Sequence, residues 1–187
     1  MNARVVVGIS GASGAAIGAQ VVQILAGLGA CVYLVISPAA EQTIVEELGP
    51  HALTAMNDLP ARRHRAVNVG ADIASGSTPT SGMIVAPCSM RTLSAIAHSF
   101  SDNLLVRAAD VHLKERRPLI LIARETPLHL GHLRAMTAVT KMGAIVMPPV
   151  PAFYLRPRDI DDVIDQIARQ AVDLLRIAPA IAQVWQG

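Results

Sequence analysis

The chain alternates short, continuous apolar runs with longer stretches in which apolar residues return every three or four positions. Arg4–Ser10 (RVVVGIS) is a β-branched run closed by glycine and serine, the pattern of a strand buried on both faces. Ala15–Leu28 repeats at helical spacing up to a terminating Gly29. Cys31–Ser37 (CVYLVIS) predicts a second strand, and Pro38 in a first turn opens a helix over Ala39–Leu48 that Gly49 and Pro50 end. Gly82–Ala86, Pro118–Ala123 and Ala144–Met147 predict three further strands, with helices over Arg91–Ser99, Asn103–Arg116 and Leu128–Met142. Asp159 is placed to cap a last helix reaching about Ile177. From His51 to Pro79 the pattern fades: two loops are expected around one short strand near Ala66–Val69, and the basic run Arg62–Arg65 reads as a solvated loop. Pro148–Pro151 predicts a rigid, irregular segment. The tail 179–187 has helical composition but no core of its own, so it is expected to dock on a neighbouring subunit.

Five apolar strands alternating with helices specify the α/β class: a doubly wound, Rossmann-like or flavodoxin-like parallel sheet with helices on both faces. No repeat or linker divides the chain, so 1–187 reads as one domain. The 187 residues are 52% hydrophobic and 16% charged, which excludes a disordered chain, and with 3% aromatics the core falls to Ala, Val, Ile and Leu. A net charge of +2 argues against nucleic acid as a partner. No apolar run approaches the roughly 18 residues of a membrane span. Met1 leads straight into a strand pattern and two cysteines make no disulfide framework, so a cytoplasmic location is expected.

In such sheets ligands bind beyond the carboxyl ends of the strands. Here those ends read Ser10–Gly14, Ser37, Pro87–Thr92, Arg124–Pro127 and Pro148–Tyr154, each polar or rich in Gly or Pro directly after an apolar run. Gly8, Gly11 and Gly14 lack the dinucleotide spacing. Their turn reads either as an anion site at a helix N-terminus or as a tight turn with Ser13 as N-cap. Ser37, Ser89 and Thr92 carry the same two readings, helix cap or ligand hydroxyl. Cys88 reads as a buried thiol, because no histidine is placed to activate it. Arg124 suits a phosphate or a flat ring and Glu125 suits proton transfer, against the alternative of a local ion pair. Arg107 and Lys114, seven apart, share a helical face suited to a phosphate or simply to solvent, with an Asp110–Lys114 pair. His129 and His132 lack the partners of a metal site, and no metal is expected.

Taken together, GISGASG (8–14), ASGS (74–77), the run from Met83 to Leu133 containing APCSMRTL, RAADVHLKERR and RETP, and GAIVMPPVPAFYLRP (143–157) resemble the UbiX-type flavin prenyltransferases of the flavoprotein superfamily. The resemblance implies an enzyme that joins the dimethylallyl group of dimethylallyl phosphate to N5 and C6 of reduced FMN. The prenylated FMN so made would serve a UbiD-type decarboxylase. It further implies a homo-dodecamer with sites at subunit interfaces. Gly11, Ala12, Ser13, Ser37, Ser89, Met90, Arg91, Thr92 and Arg124 would hold FMN. Ser13 and Glu125 would move protons, and Arg107, Lys114 and Tyr154 would grip the prenyl phosphate. One departure stands out. The family's basic residue sixteen positions after the tyrosine is here Gln170, with Arg169 beside it. Either the phosphate grip is weaker, or Arg169 substitutes, or the substrate differs. Two other readings compete: an FMN-dependent cysteine decarboxylase, and a non-catalytic FMN-binding accessory subunit of an aromatic-acid decarboxylase. The turn Ser89–Thr92 and the segment Pro148–Tyr154 speak against the first, while Gln170 favours the second.

Overall fold

The computed structural model describes residues 3–185. Six strands form one parallel sheet: β1 (Arg4–Ile9), β2 (Cys31–Ile36), β3 (Arg62–Arg65), β4 (Gly82–Cys88), β5 (Leu119–Ala123) and β6 (Ile145–Val146). Their order is β3-β2-β1-β4-β5-β6, so the winding reverses between β1 and β4. The helices are α1 (Ala15–Gly27), α2 (Pro38–Leu48), α3 (Ala52–Asn57), α4 (Met90–Ala97), α5 (Leu104–Lys114), α6 (Leu130–Lys141) and α7 (Ile160–Asp173).

Strands β1, β4 and β5 are apolar on both faces because both faces are covered. Val5, Val7 and Ile9 turn toward a cluster with Val21, Val22 and Leu25 of α1 and Ile167 and Val172 of α7. Val6, Met83 and Val85 turn the other way, against Leu93 of α4, Leu105 of α5 and Val139 of α6. A Cβ on Gly18 would come 2.3 Å from the Ala86 carbonyl oxygen, so glycine there lets α1 lie directly on β4.

Two expectations fail in the weakly patterned stretch. The strand there is not near Ala66–Val69 but at Arg62–Arg65, the basic run read as a solvated loop. It pairs with β2 from Tyr33↔Arg62 to Ile36↔Arg65. As an edge strand it carries no apolar pattern, and the Arg62 guanidinium lies over the Tyr33 ring instead. The short α3 also falls where a loop was expected.

Asp159 caps α7, accepting from the Asp162 amide at 2.9 Å. Beyond α7 the chain turns back on that helix. The Asp173 carboxylate accepts from the amides of Ile181 and Ala182, at 2.9 and 3.0 Å. Up to Gln183 the tail is therefore fastened to its own chain, and its last two residues lie outside the described ones.

Candidate active site

Because β2, β1, β4 and β5 are adjacent and parallel, the four polar strand ends share one edge of the sheet. Ser10, 1% exposed, locks the reversal point. Its hydroxyl donates to the Pro87 carbonyl at 2.9 Å and accepts from the Ser89 amide at 2.7 Å. On β5, the Arg124 amide donates to the Cys88 carbonyl at 3.1 Å. The turn after β1, the start of α4 and the end of β5 are thus one hydrogen-bonded unit.

Ser89 is the N-cap of α4. Its oxygen accepts from the Thr92 amide at 3.3 Å, its hydroxyl donates to Thr92 Oγ1 at 3.1 Å, and its carbonyl takes the Leu93 amide. The amides of Met90 and Arg91 remain as the first-turn donors without an intrahelical acceptor. The Arg91 side chain points away to Asp102. Ser37 caps α2, accepting from Ala40 at 3.2 Å. For both serines the cap is observed, and a cap leaves the neighbouring amides facing outward.

At α1 the two readings of the glycine turn resolve differently. Ser13 is not the N-cap; Gly14 holds that position at φ 105°, where a side chain would be strained. The helix end does hold an anion, but one of the chain's own. Both Glu47 carboxylate oxygens lie 3.0 Å from the Gly14 amide, and one lies 3.0 Å from the Ala15 amide. Burial draws the Glu47 pKa upward, yet the Ser13 hydroxyl, the two amides and the Arg124 charge outweigh it, so the carboxyl sits below its ordinary value. Sequence reasoning missed Glu47, because its place depends on α2 bringing its far end back to the start of α1. Gly11 is pressed onto α2, where an added Cβ would come 2.5 Å from that of Ala39.

Glu125 is exposed and accepts from the Thr126 amide at 3.0 Å. An Arg124–Glu125 ion pair, the structural alternative, does not occur among the described residues. Cys88 is a buried free thiol, and burial pushes its pKa up, in line with the buried-thiol reading. His129 caps α6, accepting from the Gly131 amide at 3.0 Å, a structural role.

The residues expected to grip the prenyl phosphate are not gathered in one copy of the chain. Arg107 and Lys114 both face the 74–77 loop. Arg107 Nε donates to the Ala74 carbonyl at 3.2 Å and its guanidinium pairs with Asp110 at 2.7 Å. Lys114 pairs with Glu115, not with Asp110, and its Nζ would lie 2.7 Å from a Cβ on Gly76. Lys114 comes just before β5 and Arg124 just after it. The length of β5, about 17 Å at strand rise, therefore lies between the segments that carry them, Lys114 leading into its start and Arg124 following its carboxyl end. Tyr154 lies beyond β6, its ring edge-on to Trp185 at 5.2 Å. Arg169 is held by Asp165 at 2.5 Å, and Asp165 also accepts from Gln20 of α1 at 2.7 Å, so Arg169 is committed to the α1–α7 contact.

The donor set fits FMN. Paired outward amides at α4, the exposed turn 11–13 and the Arg124 cation suit a molecule with a phosphate at one end and a flat, hydrogen-bonding ring at the other.

The flavoprotein family profile matches residues 1–172. The flavin prenyltransferase UbiX of Salmonella typhimurium is 52% identical over 187 residues, covering 98% of both chains. A crystal structure of AnUbiX in complex with FMN and dimethylallyl pyrophosphate superposes with a TM-score of 0.95 at 42% identity, covering 100% of this chain and 99% of that one. A dodecameric FMN-dependent UbiX-like decarboxylase from Escherichia coli O157:H7 superposes with a TM-score of 0.93 at 39% identity, covering 98% and 100%.

Proposed function

The chain belongs to the UbiX-type flavin prenyltransferases of the flavoprotein family, and from that premise we propose that it joins the dimethylallyl group of dimethylallyl phosphate to N5 and C6 of reduced FMN. The observation that carries the reading is the Ser10–Ser89 bond, which holds turn 11–13 and the outward amides of α4 on either side of the reversal point. In this reading Gly11, Ala12, Ser13, Ser37, the Ser89–Thr92 turn and Arg124 hold the flavin. Bound there, reduced FMN supplies the electron-rich ring that accepts the allylic carbon.

The protein's part is charge placement. As the carbon–oxygen bond of the donor breaks, negative charge grows on the departing phosphate and positive charge on the allylic fragment. Arg107, Lys114 and Tyr154 neutralise the first, and a site closed to water preserves the second until it is captured. Glu125 takes the proton that leaves C6. Glu47 stays ionised and orients the Ser13 hydroxyl, the second group placed for proton transfer.

Since Lys114 leads into the start of β5 and Arg124 follows its carboxyl end, the donor site is completed by a neighbouring copy. The relative from Escherichia coli described as dodecameric supports a homo-dodecamer. Among the described residues no helix is long and apolar enough to cross a membrane, in keeping with a cytoplasmic enzyme. It hands prenylated FMN to a UbiD-type decarboxylase. With Gln170 uncharged and Arg169 engaged by Asp165, the phosphate grip rests on Arg107, Lys114 and Tyr154. Presenting reduced FMN together with dimethylallyl phosphate and asking whether a heavier flavin forms tests the reading.

A further inference from the structure

Gln166 is the one buried glutamine among the described residues, 8% exposed on the face that α7 turns inward. A primary amide is costly to bury unless both its ends are bonded. Here both ends go to one residue of the tail: Nε2 donates to the Gln183 carbonyl at 3.0 Å, and the Gln183 amide donates to Oε1 at 3.0 Å. Two turns along the same helix, Asp173 takes the amides of Ile181 and Ala182. The tail is therefore a strap with two fastenings, and the inner one lies two residues before Trp185. That ring meets Tyr154 edge-on, with the planes at 87°. Both rings stay open on their other sides, Tyr154 47% and Trp185 65% exposed. They face a concavity of about 630 Å³ that Arg156 and Gln183 also line. That volume is in the range of small-molecule sites.

We propose that Gln166 is a positioning residue for the prenyl donor: by clamping the backbone of Gln183 it seats Trp185 against Tyr154 and so fixes the tyrosine where the donor's phosphate binds. The inference rests on the reading of Tyr154 as part of the donor site. Ile177 and Ile181 already pack the tail against the core cluster that α7 joins, so what the amide pair adds is a fixed backbone position at Gln183. The clamp converts a buried amide into control over an exposed aromatic pair.

The chain carries a single tryptophan, so its emission reports the strap alone. In Gln166→Ala the anisotropy of Trp185 falls. KM for dimethylallyl phosphate rises about tenfold, the scale of one or two hydrogen bonds, while the FMN Kd and kcat at saturating donor stay within about twofold. Gln166→Glu keeps the acceptor but loses the donor and falls between the two. Trp185→Phe keeps a ring against Tyr154 and leaves KM near wild type. Should Gln166→Ala not fold, Asp173→Asn loosens the outer fastening with the same readouts in smaller measure. Unchanged anisotropy overturns the strap whatever the turnover. A fall in anisotropy with KM unchanged overturns its link to the donor, and parallel loss of FMN binding reduces Gln166 to a stabilising residue. Tyr154→Phe separates this from the underlying reading. A wild-type KM there withdraws the donor role of Tyr154, while the anisotropy still decides the strap.

Discussion

Glu47, next to last in α2, lays its carboxylate across the N-terminus of α1, both oxygens 3.0 Å from the Gly14 amide. The dipole end of the glycine turn is thus already neutralised from within the chain. In the proposed reading a bound phosphate would meet the amides of α4 instead, while the α1 turn holds its hydroxyl, Ser13, beside the Glu47 charge.

That charge makes the turn pH-sensitive. Glu47 has a lowered pKa in the folded chain, so its stabilisation is present above the ordinary value of 4.5 and is lost as pH falls through the folded value. Glu47→Gln should be less stable than wild type at neutral pH and should lose less on acidification below 4.5. Denaturation midpoints of the two proteins across that range give the comparison.

His112 contributes in a higher window. It is 1% exposed; its Nδ1–H donates to the Ala108 carbonyl at 2.7 Å, which leaves Nε2 to accept from the Thr80 hydroxyl at 2.9 Å. Burial foremost, with the Arg117 charge, lowers its pKa from 6.5 to about 4 against the Ala108 and Gly82 contacts that raise it. Between those values the unfolded chain takes up a proton that the folded chain refuses, so stability falls with falling pH. The full span is worth at most about 3 kcal/mol. His112→Gln should flatten the stability profile between 6.5 and 4, read by denaturant titration at successive pH values.

How far this was legible in the sequence differs by element. Strands β1, β2, β4 and β5 declared themselves because burial on both faces leaves a continuous apolar run. The edge strand β3 did not, because Arg62–Arg65 pairs on one side only and buries almost no side chain. Most strand-end residues were readable as candidates from their position alone. Glu47 was not: 33 residues separate it from Gly14, and no local spacing encodes a contact made by α2 folding back. Nor could spacing show that Arg107 and Lys114 turn to the 74–77 loop, away from Arg124.

Gly11 is set by proximity to α2. Alanine there would bring its Cβ 2.5 Å from that of Ala39, forcing the turn and the start of α2 apart. Overpacking of this kind costs about 1–3 kcal/mol. Gly11→Ala should lower Tm and weaken FMN binding by about tenfold or more, measured by equilibrium titration of flavin fluorescence.

Glu125 has no ion-pair partner among the described residues and lies exposed at the strand end, so its removal leaves little structure to lose. Glu125→Gln should bind FMN and dimethylallyl phosphate nearly as wild type, with the chemical step slowed by about a hundredfold or more. Single-turnover absorbance of the reduced complex measures that step. Weaker flavin binding with an unchanged step would make Glu125 structural.

The central claim is prenyl transfer to flavin by this chain, despite Gln170. The purified protein, incubated without oxygen with reduced FMN and dimethylallyl phosphate, should yield a released flavin heavier by C5H8: the dimethylallyl group displaces the N5 proton, and at ring closure the proton gained by the alkene balances the one lost from C6. Omitting the donor should suppress it. Tight FMN binding with unmodified flavin as the sole product, however high the donor concentration, would contradict the claim and leave a flavin-binding protein without this activity.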